Sequence, residues 1–302
     1  MVIDFHTHTF PDRIAAATIA KLSRTAHITP FSDGTKEGLL SSMRESGVDL
    51  SVILPIATSP QQTRKINDGA AENNARAACA GLNPGGEDSA PCKEGGAGRI
   101  PKVFSFGAVH PDNEDYRREL ARAAELGLKG IKVHPFYQDT DVDDIRYLRI
   151  FGRAAELGLV VVTHAGADIG YPGAVHCSPD MCRHVVREIG EFRFVLAHMG
   201  GWRCWEEVPE KLSGCGVYLD TAFSTGRISP LPDGYWDGKD LSLMGGERVM
   251  EYVRAFGADH ILFGTDSPWS PQKESRDFIE KLPLTPEEQS LILGGNAVKL
   301  LS

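Results

Sequence analysis

A chain of 302 residues with 41% hydrophobic and 24% charged side chains has the composition of an ordinary soluble globular protein, long enough for one extensive core or two modest ones. Its net charge of -9 and pI near 5.6 argue against a nucleic-acid partner, since such proteins present a basic face. No apolar run approaches the roughly 18 residues of a membrane span, and the chain opens on an apolar strand with no room for a leader, so a cytoplasmic protein without membrane contact is expected. Cys79, Cys92, Cys177, Cys182, Cys204 and Cys215 form no C-x-x-C pair and are expected as free thiols. Cys177 and Cys182 flank a predicted helix start and are the pair that could meet, as a disulfide or a structural zinc site.

Residues 2–8, VIDFHTH, read as a strand. Side chains alternate along a strand, so His6 and His8 are expected on one face with Asp4, at Cα separations of roughly 6 to 7 Å, and Ile3, Phe5 and Thr7 on the other. Residues 9–35 form a long first strand-to-helix segment around a helix from Asp12 to Thr25. A helix over 36–47, the strand DLSVILP and a helix from Ser59 to Ala80 follow. Residues 81–100 are rich in Gly and Pro without apolar periodicity and read as a solvated excursion, with a substrate lid as the lesser alternative.

From there strand and helix patterns alternate. KVFSFGAVHP, LKGIKVHP, LVVVTHAG, EFRFVLAHMGG, VYLDTAF and HILFGTD read as strands. EDYRRELARAAEL, DVDDIRYLRIFGRAAEL, SPDMCRHVVREIG, WEEVPEKLSG, GGERVMEYVRAFG and TPEEQSLILGGNAVKLL read as helices, the third with Ser178 as N-cap and Pro179 in first position. Eight strands alternating with helices predict a parallel α/β sheet over residues 1–302 as one domain. Closure into a (β/α)₈ TIM barrel, distorted by the long first segment and surface loops, is expected over an open doubly wound sheet, because no Gly-rich phosphate turn follows the first strand.

Three apolar runs end in further ligand types: His164, His198 and Asp266. Parity predicts that Val160 and Val162 share a face with His164, Phe194 and Leu196 with His198, and Leu262 and Gly264 with Asp266. In GIKVHP, Lys132 and His134 share one parity and are expected to point inward, with Ile131 and Val133 outward.

The His-x-His of the first strand, the two histidines after middle strands, the Asp of FGTDSP and the closing GGNAVKLL together resemble the amidohydrolase superfamily. The narrower resemblance is to its amidohydrolase-related branch, which holds metal-dependent hydrolases and aminocarboxymuconate semialdehyde decarboxylase-like enzymes. By that resemblance His6, His8, His164 and Asp266 would hold one divalent ion, with zinc expected and manganese possible. Asp266 would take up and pass on a proton, and His198 beside the ion would orient water, act as base or bind the substrate. Lys132 matches the position that some members carbamylate to bridge a second ion; the other readings are a lysine gripping a substrate carboxylate or one at the rim. Lys132, His134, Tyr137, Trp202 and Trp269 are the expected substrate-binding residues.

The resemblance implies a hydrolase that directs metal-activated water onto an amide, ester or lactone of a small organic substrate. The alternative is a non-oxidative decarboxylase of a small aromatic or enoic acid, with Arg13, Lys132 and Arg203 as cations for the departing carboxylate. A barrel without chemistry, used for binding, is a third reading. A homodimer is a further expectation.

Overall fold

The computed structural model describes residues 1–79, 101–236 and 241–302. The predicted excursion over 81–100 and Cys92 therefore lie outside the described residues.

In chain order the elements are β1 (Ile3–Thr7), α1 (Asp12–Ala26), β2 (Ile28–Thr29), α2 (Lys36–Ser46), β3 (Leu50–Ile53), α3 (Gln62–Cys79), β4 (Lys102–Ser105) and β5 (Gly107–Ala108). There follow α4 (Tyr116–Glu125), β6 (Gly130–Val133), α5 (Ile145–Glu156), β7 (Val160–Thr163), α6 (Pro179–Ile189), β8 (Phe194–Leu196), α7 (Val208–Leu212) and β9 (Tyr218–Asp220). The chain ends with β10 (Ser229–Pro230), α8 (Gly246–Phe256), β11 (Ile261–Leu262), α9 (Gln272–Glu280), α10 (Pro286–Ser290) and α11 (Asn296–Leu301).

All pairings of the main sheet are parallel. β1, β3 and β4 are neighbours in that order, as are β5, β6, β7, β8, β9 and β11. β4 and β5 are one expected strand interrupted at Phe106. The ring closes where the Phe5 amide donates to the Phe263 carbonyl (2.8 Å) and the Asp266 amide to the His6 carbonyl (2.8 Å). This is a (β/α)₈ barrel, with β2 and β10 forming a small antiparallel ribbon outside it. Sequence patterning did not signal that ribbon or α9, because two-residue strands carry no period and QKESRDFIE is mostly charged.

Two apolar layers follow from the alternation. Val160 and Val162 point into the barrel, packing with Phe5, Val52, Phe106, Val195 and Leu262, while Leu300 and Leu301 of α11 join the same cluster. Ile131, Val133 and Val161 face the other way, against helix residues such as Tyr147, Ile150, Phe151 and Val185. On α5, buried Tyr147, Ile150, Phe151 and Ala154 recur at helical spacing, which is why that helix lies on the sheet. Ser178 caps α6 by accepting from the Met181 amide, with Pro179 in first position as expected.

Parity holds for β6 and β7 and fails on two strands that carry ligands. On β1, Ile3 and Phe5 belong to the interior cluster, and Asp4 instead accepts hydrogen bonds from Thr265 and Gln272. The pairing explains the difference: Asp4 faces Ser51 but Thr7 faces Ile53, so β1 advances three residues against two of β3. That extra residue is a β-bulge, which resets the alternation between Phe5 and His6. On β8, Val195 rather than Phe194 or Leu196 packs inside, and His198 reaches the site only because the strand ends and His198 and Met199 adopt φ of 59° and 53°.

Candidate metal centre

The C-terminal ends of β1, β7, β8, β9 and β11 bring six side chains together: His6, His8, His164, His198, Asp220 and Asp266. His6 Nδ1 donates to an Asp220 oxygen at 2.8 Å, and His8 Nδ1 to the Leu54 carbonyl at 2.9 Å. Both acceptors lack protons, so both rings carry hydrogen on Nδ1, and in the neutral form each presents a lone pair on Nε2. These two Nε2 atoms lie 3.2 Å apart, and an Asp266 oxygen stands 3.0 Å from His8 Nε2 and 3.5 Å from His6 Nε2.

The second pair repeats the pattern by other means. His164 Nε2 donates to the Ala167 carbonyl (3.0 Å) and His198 Nδ1 to the Ala222 carbonyl (3.0 Å). His164 Nδ1 and His198 Nε2 are thus left as lone pairs facing each other at 3.1 Å. The rings of His6 and His198 are 5.3 Å apart, so the two pairs adjoin.

Four imidazole lone pairs and a carboxylate oxygen at these separations repel one another unless a cation lies among them. The donor set therefore fits a divalent ion: neutral imidazoles with their other nitrogens fixed by acceptors, and one carboxylate. Burial, with Lys132 adding its charge, drives the His6 and His164 pKa values well below the ordinary value, and burial lowers that of His198. Burial alone would raise the Asp266 carboxyl, but positive charge on the His8 and His6 side of it, whether ring protons or a cation in their place, holds it well below the usual carboxylate range. The expected ligands His6, His8 and Asp266 share one node, whereas His164 sits against His198.

Asp220, which ends the VYLDTAF strand, is not among the expected ligands. One oxygen receives His6, and the other receives the His198 amide (2.9 Å) and the Ala222 amide (3.2 Å). Burial raises its pKa to about 6, opposed by His198 and Lys132. The signal in the sequence was its place at the end of an apolar run, the same place the ligands hold. Asp4 buttresses the bulge: its oxygens accept from the His6 and Thr265 amides, the Thr265 hydroxyl and Gln272 Nε2. Gly264 completes the site, since a Cβ there would come within 3.0 Å of the His6 Cβ.

Lys132 is buried, with Nζ 3.4 Å from His6 Nε2; burial lowers its pKa to about 8, opposed by Asp220 and Asp266. His134 stacks on Tyr137 (3.9 Å) and on His164 (4.4 Å). Trp202 packs on Phe223 and beneath the Arg203 guanidinium, and Trp269 joins the same cluster of loop side chains with Ile28 and Ile228. Arg13 is exposed on α1, and Arg203 is exposed, lying also over Trp236. The sulfurs of Cys177 and Cys182 do meet, at 3.5 Å, as buried free thiols.

A barrel whose strand ends converge on a divalent-metal donor set defines a class of metal-dependent enzyme. The amidohydrolase family model matches residues 3–302, and the chain belongs to that family. No curated protein matches it. Among solved structures it is similar to an uncharacterised TIM-barrel protein from Bordetella bronchiseptica, with 18% identity and a TM-score of 0.70 over 99% of this chain and 98% of that one. A candidate 2-pyrone-4,6-dicarboxylic acid hydrolase from Pseudomonas putida shares 16% identity, with a TM-score of 0.61 over 99% of this chain and 97% of its own. A dihydroxybenzoic acid decarboxylase from a Polaromonas species, with bound manganese, shares 14% identity, with a TM-score of 0.59 over 99% and 96%. At these identities the likeness is one of fold.

Proposed function

We propose that the protein is a metal-dependent hydrolase of a small amide, ester or lactone. The observation that carries this reading is the convergence of the His6 and His8 lone pairs and the Asp266 carboxylate within 3.0 to 3.5 Å of one another. A divalent ion bound there, zinc by ligand type with manganese supported by the Polaromonas structure, supplies Lewis acidity and an activated water. Asp266, an ionised base against His8, accepts the water's proton and returns it to the leaving group. His198, neutral and fixed through Nδ1, presents Nε2 to the same space. Lys132, the buried cation beside His6, holds the anionic end of the substrate.

Decarboxylation is the second reading, favoured by the Polaromonas decarboxylase of the same fold. It is placed second because the three cations expected to clamp a departing carboxylate are dispersed: Lys132 is at the donor set, while Arg13 and Arg203 are exposed. The free thiols of Cys177, Cys182, Cys204 and Cys215 support a cytoplasmic setting.

The test is to strip metal by chelation, reload zinc or manganese, and assay lactones and esters beside carbon dioxide release from aromatic acids. Metal-restored hydrolysis that disappears in Asp266→Asn supports the leading reading. Carbon dioxide release without hydrolysis replaces it with the second, and silence in both assays leaves a binding barrel.

A further inference from the structure

His134 is a buried residue, 6% exposed, whose ring makes no hydrogen bond among the described residues. Nδ1 is buried without a partner, and Nε2 stops 3.6 Å from an Asp168 oxygen, beyond bonding distance. The ring is held by stacking, with Tyr137 on one face and His164 on the other, and by the edge of Phe136. Leaving a buried polar group unmade costs about 1–3 kcal/mol, so such a group in a native fold calls for an explanation. Asp168, 7% exposed, is complementary: Oδ1 accepts the Gly170 amide at 2.7 Å, and Oδ2 is turned toward His134 without a hydrogen bond.

We infer that His134 and Asp168 form a recognition subsite beside the metal centre for a group that both accepts and donates a hydrogen bond, a hydroxyl on the substrate. A buried orphan N–H is rarer than an orphan lone pair, so the His134 proton belongs on Nε2, facing Asp168. A hydroxyl seated to one side of this 3.6 Å gap, bridging its two edges, accepts from Nε2 and donates to Oδ2, satisfying both. A methyl ether and a carboxylate only accept, and a carboxylate also meets the charges of Asp168 and Asp266. A second metal ion fits poorly, because the third nearby nitrogen, His164 Nε2, is committed to the Ala167 carbonyl. The subsite lies one ring beyond His164, within the length of a small substrate whose other end reaches the donor set. In that respect the inference rests on the proposed function.

The experiment is calorimetric titration of the metal-loaded protein with meta-hydroxybenzoate, meta-methoxybenzoate and isophthalate, repeated on two variants. Asp168→Asn keeps an oxygen for the Gly170 amide and replaces the open acceptor with a donor; His134→Phe keeps the stack and removes both nitrogens. The wild type is expected to prefer the hydroxy acid over its ether by about tenfold or more, and each variant to bring that ratio close to one. A ratio near one in the wild type, or one retained in both variants, overturns the subsite while leaving the metal centre standing. A second equivalent of zinc that binds the wild type and not Asp168→Asn overturns it in favour of a cation site. Failure of every acid to bind the metal-loaded protein overturns both the subsite and the reading of the centre beneath it.

Discussion

The two imidazole pairs reach one centre by different backbone devices. His6 and His8 lie on a single strand, and a bulge turns both to the same side; their Nδ1 atoms are fixed by a carboxylate and a strand carbonyl. His164 and His198 lie on separate strands, and the second arrives through two residues of positive φ; both are fixed by loop carbonyls. The first pair thus depends on a titratable partner, Asp220, that also holds the backbone of the second. The pairs are coupled through that one residue, and substitutions can separate them.

The largest effect is expected where the first pair meets its carboxylate. Asp266→Ala removes the anion from the lone-pair cluster, and elemental analysis should find zinc affinity reduced roughly 100-fold or more, with no turnover. Retention of a full equivalent would show that the histidines hold the ion without the carboxylate.

Asp220→Asn sharpens the coupling, because both Asp220 oxygens accept. An amide must turn its NH₂ either toward His6, displacing the proton to Nε2 and removing a ligand, or toward the His198 and Ala222 amides, loosening the second pair. Metal affinity should fall about 10- to 100-fold. Nitrogen chemical shifts of the metal-free protein would tell which pair suffers, through the His6 tautomer. Unchanged affinity would break the idea that one carboxylate serves both pairs.

Acid should act on both pairs, through His6 in the first and His164 and His198 in the second, and on His134 beside them. Folded-state pKa values of His6, His134, His164 and His198 lie below the ordinary 6.5, so the unfolded chain binds more protons as pH falls. Their neutral packing is therefore no burden above pH 6.5, and metal-free stability is lost progressively below it, at up to about 1.4 kcal/mol per pH unit for each group. Urea melts at pH 7.5 and 5.5 in chelator check this; equal midpoints would refute it.

The smallest effect concerns the loop that fixes the second pair. Gly166 has φ of +84°, and a Cβ there would lie 2.2 Å from the Trp202 nitrogen. Gly166→Ala should cost more than the roughly 1–3 kcal/mol of the left-handed φ alone, because the bridge to Trp202 must also part, seen as a lower denaturation midpoint with a smaller loss of metal affinity than in the carboxylate variants. His164 should be disturbed more than His8, which NMR of the two rings would distinguish.

The sequence determined the alternation of strands and helices, the caps at Ser178 and Pro179, and the presence of ligand-type residues at the ends of apolar runs. Those features are local: periodicity, capping and residue chemistry act within a few positions of the chain. It also determined the inward face of β6, where strict alternation places Lys132 opposite Ile131 and Val133. Only the tertiary structure decided how the site is assembled. The bulge that turns His6 inward exists because β1 pairs with β3 across more than forty residues, and Asp4 turned out to buttress that bulge through Thr265 and Gln272 rather than face the centre. The promotion of Asp220 to a partner of two histidines, and the unpartnered His134 beside Asp168, likewise depend on contacts between distant segments. Parity counted along one strand carries no term for the register of its neighbour, and register is what sets a side chain's direction.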